Sequence, residues 1–194
     1  MNVQPVKDCR WGKIPRKKKT FTFHDSINES VEWYTPPNIF ESIGVEFDLD
    51  PCSSEKANTI VQAKDFYTID DNGLEQDWYG KVWLNPPYGN KNGNQTGVWL
   101  QKALDETVDE NIQVCALVFA RTDVKWFHDQ AVLFEQICFM KGRLSFINGN
   151  TMKKVSTSGA GSMLLTIGDD LNNAVENSDL GWVVNTTVND WVIN

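Results

Sequence analysis

No stretch of this sequence approaches the roughly 18 consecutive apolar residues that a membrane-spanning helix needs, so no membrane partner is expected. The four cysteines, Cys9, Cys52, Cys115 and Cys138, are scattered and form no Cys-x-x-Cys pair. That spacing excludes the usual zinc frameworks, and no metal is expected. Cys115 and Cys138 lie inside apolar runs, as buried thiols do. A reducing, cytoplasmic setting follows. Lys7, Arg10 and Lys13 precede no apolar segment, so no secretory leader is expected. No internal repeat is present. Positive charge is also short, with 18 Lys and Arg against 26 Asp and Glu, a net charge of -8.

That deficit is uneven. Residues 1–24 hold seven cations (Lys7, Arg10, Lys13, Arg16, Lys17, Lys18 and Lys19) against Asp8, so they carry +6 and the rest of the chain carries -14. The body should therefore repel nucleic acid at long range, and the amino-terminal stretch should attract it. Residues 1–30 show no stable periodicity and read as a basic arm that orders on a partner. Residues 31–194 read as a single domain. A chain of 194 residues with eight tryptophans and ten phenylalanines has ample material for one core.

The most informative stretch is Val82-Trp83-Leu84-Asn85-Pro86-Pro87-Tyr88. Three apolar residues read as a buried strand. The two prolines then fix φ and lack N–H groups, and residues preceding proline are pushed out of the helical region. A stiff loop at a strand end results, presenting carbonyls, the Asn85 amide and an aromatic ring. Such a loop suits a planar amine of low nucleophilicity. If the Asn85 oxygen and the Pro86 carbonyl each accept one amino hydrogen, the nitrogen can pyramidalise and free its lone pair, which is electrostatic preorganisation. Tyr88 can stack on the base. The competing reading, a proline turn that merely ends a strand, fits Pro-Pro alone far better than it fits this whole segment.

A second strand end precedes it. Val45–Asp50 alternates as a half-buried strand stopped by Pro51, with Asp48, Asp50 and Cys52-Ser53-Ser54 at its carboxyl end. Ligands of open α/β sheets bind at such ends. A cationic cofactor such as S-adenosylmethionine would meet acidic and hydroxyl groups there. Asp65 is a further candidate ligand. Upstream, Thr35 is expected to cap a short helix over 38–43, with Pro36 in its first turn and Gly44 at its end. Downstream, 98–108 has helical spacing, and Val114–Ala120 reads as a central strand buried on both faces. Helical spacing resumes over 124–134, and strands are expected at 136–140 and 162–167. Residues 144–147 are expected to pair back on 136–140 as a hairpin, and the tail to form an edge hairpin over 182–192. Alternating strands and helices predict a mostly parallel sheet.

The ordered set Glu32-Trp33-Tyr34-Thr35-Pro36-Pro37, Phe47-Asp48-Leu49-Asp50-Pro51-Cys52, Gly73-Leu74, Trp78 to Gly89 and Lys141-Gly142-Arg143-Leu144-Ser145-Phe146 resembles the phage-type Dam family of DNA N-6 adenine methyltransferases. It spans roughly Trp33 to Ile167. The resemblance implies a Rossmann-like class I methyltransferase fold, S-adenosylmethionine as cofactor, DNA as partner and, for a bacteriophage protein, the host cytoplasm. It implies catalytic roles for Asn85, Pro86, Pro87 and Tyr88, and cofactor contacts by Trp33, Thr35, Pro36, Asp48, Asp50, Pro51, Cys52 and Asp65. Lys91, Arg121, Lys125, Arg143, Lys153 and Lys154 are the cations expected around the active-site mouth, facing DNA. Two departures stand out. Asn85 occupies a position where many adenine methyltransferases have aspartate, and Pro51-Cys52-Ser53-Ser54 replaces the usual Gly-x-Gly turn. Two alternatives stay open at this point: a methyltransferase acting on RNA or on protein glutamine amides, and a nucleic-acid-binding module without catalysis.

Overall fold

The computed structural model describes residues 32–87, 95–155 and 159–186. The arm, Tyr88, the polar loop through Asn94 and the second half of the tail hairpin lie outside the described residues. The elements run β1 (Trp33–Tyr34), α1 (Pro37–Ile43), β2 (Leu49–Asp50), α2 (Glu55–Val61), β3 (Asp65–Phe66), β4 (Lys81–Leu84), α3 (Gln95–Glu106), β5 (Gln113–Phe119), α4 (Lys125–Asp129), β6 (Gln136–Met140), β7 (Ile147–Asn148), β8 (Ser162–Ile167), α5 (Asp169–Asn177) and β9 (Gly181–Asn185).

The apolar runs build the centre. A seven-stranded sheet has the order β3-β2-β4-β5-β8-β6-β9, and β1 and β7 form a separate two-stranded ribbon. Residues of β4 and β5 alternate between two cores. Val82, Leu84, Val114, Ala116 and Val118 face α3 and α4 through Trp99, Leu100, Ala103, Trp126 and Phe127. Trp83, Cys115 and Leu117 face α1 and α5 through Ile39, Ile43, Leu171 and Val175. A strand buried on both faces has no polar alternation, which is why β5 reads as a continuous apolar run.

The sheet is mixed. β3, β2, β4 and β5 are mutually parallel. β8 runs antiparallel to both β5 and β6, and β9 antiparallel to β6. The antiparallel ladders are the longer ones, which corrects the expectation of a mostly parallel sheet. Strand direction depends on the path between strands, and an apolar run such as Ser162–Ile167 is the same in either direction.

Other corrections are local. Pro36 caps α1 with no side-chain hydrogen bond, and Pro37 takes the first turn, so Thr35 is one residue too early to be the cap. The 124–134 helix breaks after Asp129, and Ala131–Leu133 continues as a 3-10 turn. Residues 147–148 pair with β1 rather than with β6. α5 escaped the sequence reading although Leu171, Ala174 and Val175 carry helical spacing behind Asp169 and Asp170. Gly44 does end α1, at φ 67 with its N–H on the Phe40 carbonyl. Nothing lies within 4 Å of where its Cβ would stand. Gly44→Ala therefore isolates the backbone term and should cost about 1 kcal/mol, a Tm fall of roughly 2–4 °C in thermal unfolding.

Candidate active site

β2 and β4 are adjacent and parallel, with Leu49 opposite Val82. Asp50 is the last residue of β2, and Asn85 follows the last residue of β4. The two sequence-predicted strand ends thus lie side by side at the carboxyl edge of the sheet, where open α/β sheets bind ligands.

Asp50 is buried, at 2% exposure. Burial pushes its carboxyl up to about 7, against the Ser53 hydroxyl and the Cys52 N–H, which pull it down. The Cys52 N–H donates to Asp50 Oδ1 at 3.1 Å. The Ser53 Oγ is buried beside it and closes no hydrogen bond of ordinary geometry among the described residues. Pro51 turns the chain tightly. A Cβ on Gly73 would stand 2.0 Å from the Pro51 carbonyl oxygen, so only glycine allows the 70–73 turn to close over it.

Asn85 is half-buried, and its Nδ2 donates to the Trp33 carbonyl at 3.3 Å. That contact fixes which end of the amide is the acceptor. Pro86 is buried and Pro87 exposed. β1, which supplies the carbonyl, is held by β7, with Trp33 opposite Asn148 and Tyr34 opposite Ile147.

Glu32 joins this cluster, though sequence reading gave it no role. Its carboxylate accepts from the Tyr34 hydroxyl and, at 3.2 Å, from Ser54 Oγ. Burial first, then the charges of Asp50 and Glu32, push the Cys52 thiol up, so both carboxylates lie near Cys52. Thr35 is 3% exposed, and its Oγ1 is buried without a hydrogen-bond partner among the described residues. A buried hydroxyl of this kind is normally satisfied, so Thr35 Oγ1 has capacity for a ligand.

Asp48 and Asp65 stand apart. Asp48 accepts from the Lys81 N–H at 2.8 Å and pairs with Lys64 at 2.6 Å, and Lys64 is the main reason its carboxyl lies below the usual range. Lys81 is four residues before Asn85, about 13 Å of strand. Asp65 accepts from the Tyr79 hydroxyl, also ahead of β4. Both acids clasp the entry to β4. The period-2 alternation that put Asp48 with Asp50 on one face could not show that their bonding would diverge.

The expected DNA-facing cations among the described residues, Arg121, Lys125, Arg143, Lys153 and Lys154, are exposed. Arg121 follows β5, parallel to β4, and so lies at the carboxyl edge. Arg143 Nη1 donates to the Gly159 carbonyl at 3.0 Å. Lys153 and Lys154 flank the β7 turn, with the Lys153 carbonyl accepting from the Asn148 N–H and Lys154 bridged to Ile147. Lys125 pairs with Asp129. Lys91 lies outside the described residues. Among those residues no group of three or more His, Cys, Asp or Glu is close enough to hold a metal ion, and no helix is long and apolar enough to cross a membrane.

Comparison with known proteins adds to this geometry. The family described as DNA N-6-adenine-methyltransferase (Dam) matches residues 24–180. A relative in Escherichia phage T1, named DNA N-6-adenine-methyltransferase, is 29% identical over 153 residues, covering 68% of this chain and 60% of the relative. This chain therefore spans about 60% of that relative's length. No solved structure matches it significantly.

Proposed function

Because the chain belongs to the DNA N-6-adenine-methyltransferase (Dam) family, we propose that it transfers a methyl group from S-adenosylmethionine to the exocyclic amino group of adenine in DNA. The observation that carries this reading is the pairing of two strand ends, buried Asp50 on β2 and Asn85 beyond β4, with the Asn85 amide held by the Trp33 carbonyl. On this reading the mixed sheet is a Rossmann-like class I methyltransferase fold, and the protein works in a reducing cytoplasm, that of the host if phage-encoded. The free thiols of Cys52, Cys115 and Cys138 suit that setting.

The donor set fits the cofactor. Asp50 and Glu32 offer negative charge to a sulfonium amino acid, Thr35 Oγ1 offers an unsatisfied buried hydroxyl, and Trp33, Pro36, Pro51 and Cys52 supply the walls. When bound, S-adenosylmethionine supplies an electrophilic methyl group. Asp48 and Asp65 act from outside this set by fixing the chain entering β4.

The residues of the loop do the rest. Adenine must leave the stack before its amino nitrogen can be reached. Asn85 Oδ1 and the Pro86 carbonyl accept the two amino hydrogens, which draws the lone pair out of the ring and onto nitrogen. Pro87 keeps the loop rigid, and Tyr88 stacks on the extruded base. No general base is required before transfer, since the methylated amine releases its extra proton to solvent. Arg121, Arg143, Lys153 and Lys154, with Lys91 and Lys125, offset the acidity of the body where the phosphate backbone approaches.

Labelled S-adenosylmethionine offered to equal masses of DNA, RNA and protein tests the substrate class. Label in the DNA fraction is the expected result. Label in RNA or in protein glutamine alone would overturn the reading, as would failure to bind S-adenosylmethionine in calorimetry.

A further inference from the structure

We propose that Met152, in the turn that follows β7, is a wedge that enters the DNA stack where the extruded adenine stood, an inference that rests on the DNA substrate proposed above. Met152 breaks two local rules at once. Its backbone is left-handed, at φ 53, a conformation that crowds any Cβ. Its side chain is apolar and yet 48% exposed. Gln62, Asn72 and Asp179 also have a positive φ among the described residues. Asn72 and Asp179 are residue types that tolerate it, and Gln62 closes α2 as its C-cap. Met152 has neither excuse, and a side chain that stays in water contributes little to folding. Strain spent on an exposed apolar side chain points to a task outside the fold.

The turn over 149–152 is firmly built. Asn148 Oδ1 accepts from the N–H groups of Asn150 and Thr151, both at 3.0 Å. The Met152 N–H donates to the Asn148 carbonyl at 2.8 Å, and the Asn148 N–H donates to the Lys153 carbonyl at 3.0 Å. These bonds hold the left-handed residue in place, as strained positions require. The turn is also pinned to β1. The Gly149 N–H donates to the Glu32 carbonyl at 2.8 Å, and a Cβ on Gly149 would stand 2.9 Å from the Tyr34 hydroxyl. Asn148 lies opposite Trp33, whose carbonyl accepts the Asn85 amide. One ribbon spacing, about 5 Å, thus separates the base of the turn from the strand that holds the Asn85 loop. A base drawn into that loop leaves its gap in the stack close by. Methionine suits such a gap, because it is unbranched, adaptable and packs well on aromatic rings. Apolar side chains, methionine among them, wedge between base steps in other DNA-bending proteins. Lys153 and Lys154 follow directly, both exposed, and present charge to the phosphates around the gap.

The test pairs a protein change with a DNA change. Single-turnover methylation is measured at saturating cofactor on two duplexes. One contains the adenine that the protein methylates, normally paired; the other places that adenine opposite an abasic site, where it is already poorly held. Met152→Gly removes the wedge and the strain together. Its Tm should equal or exceed that of the wild type, because glycine accepts the left-handed backbone. Its rate on the paired duplex should fall about tenfold or more, and its rate on the abasic duplex should stay within about twofold of the wild type, since unstacking there costs less. Met152→Leu keeps an apolar wedge of similar volume and should retain most of the rate on the paired duplex. An undiminished rate of Met152→Gly on the paired duplex, or an equal loss on both, would overturn the wedge and leave the methyltransferase reading intact. So would a Tm below that of the wild type, which would assign Met152 to the fold. Methylation of neither duplex by the wild type would overturn both.

Discussion

Asn85→Ala should lower turnover about a hundred- to a thousandfold, the loss expected when one preorganised acceptor of roughly 3–4 kcal/mol is removed. Cofactor affinity should stay within about a few-fold, because Asn85 sits beyond β4 and the acids that suit the cofactor are Asp50 at the end of β2 and Glu32 just before β1. Asn85→Asp separates acceptor from scaffold. The aspartate keeps an acceptor oxygen for the amine but loses the N–H that donates to Trp33 and faces that carbonyl with an oxygen. It should retain more activity than the alanine variant and less than the wild type. Single-turnover rates and cofactor titration measure the two effects separately. Near-normal turnover in a folded Asn85→Ala protein would end the proposed mechanism.

Asp50→Asn should weaken S-adenosylmethionine binding by about tenfold or more, the scale of a lost charge-assisted contact, and should flatten its pH dependence. Burial raises the Asp50 carboxyl to about 7 in the folded protein. The unfolded chain holds that proton only up to about pH 4. Between these values the folded state binds more protons, so this group's contribution to stability is fully present below about pH 4 and is lost as pH rises through about 7. Cation binding pulls the other way, because it favours the ionised carboxylate. Cofactor affinity should therefore rise with pH toward and through about 7 and level off above it. The groups facing Asp50 are the Cys52 N–H, the Ser53 hydroxyl and, through Cys52, the Glu32 carboxylate on the β1 side. Calorimetry from about pH 6 to about pH 8 on both proteins checks the slope. The same slope in Asp50→Asn would assign the dependence to another group. Unchanged cofactor affinity with impaired DNA binding would show that the two subsites are exchanged.

The centre of the molecule was legible because its signals are local. Val82-Trp83-Leu84 and Val114–Phe119 are uninterrupted apolar runs, and prolines mark where β2 and β4 stop. Those prolines also mark the two adjacent strand ends on which the proposed site is built. Pairings across long separations were not legible. β1 and β7 are two residues each and lie more than 110 positions apart. Short strands carry too little pattern to announce a partner, and hydrophobic alternation says nothing about direction, so the strand at 162–167 was expected while its antiparallel sense was not. Glu32 was missed for the same reason. Its significance comes from Tyr34 and Ser54 folding onto it, and in sequence it is one acid ahead of a Trp-Tyr pair. For Asp48 and Asp65 the acidity was visible in the sequence, and the bonds to Lys64, the Lys81 N–H and Tyr79 were not.

Identification of the methylated nucleoside tests the central claim most directly. Wild-type and Asn85→Ala proteins are incubated with labelled S-adenosylmethionine and unmodified DNA, and the DNA is digested to nucleosides and separated. The account predicts label in N6-methyldeoxyadenosine with the wild type and a small fraction of it with the variant. Label in a methylated cytosine, or none in the DNA under conditions where the protein binds both cofactor and duplex, would contradict it.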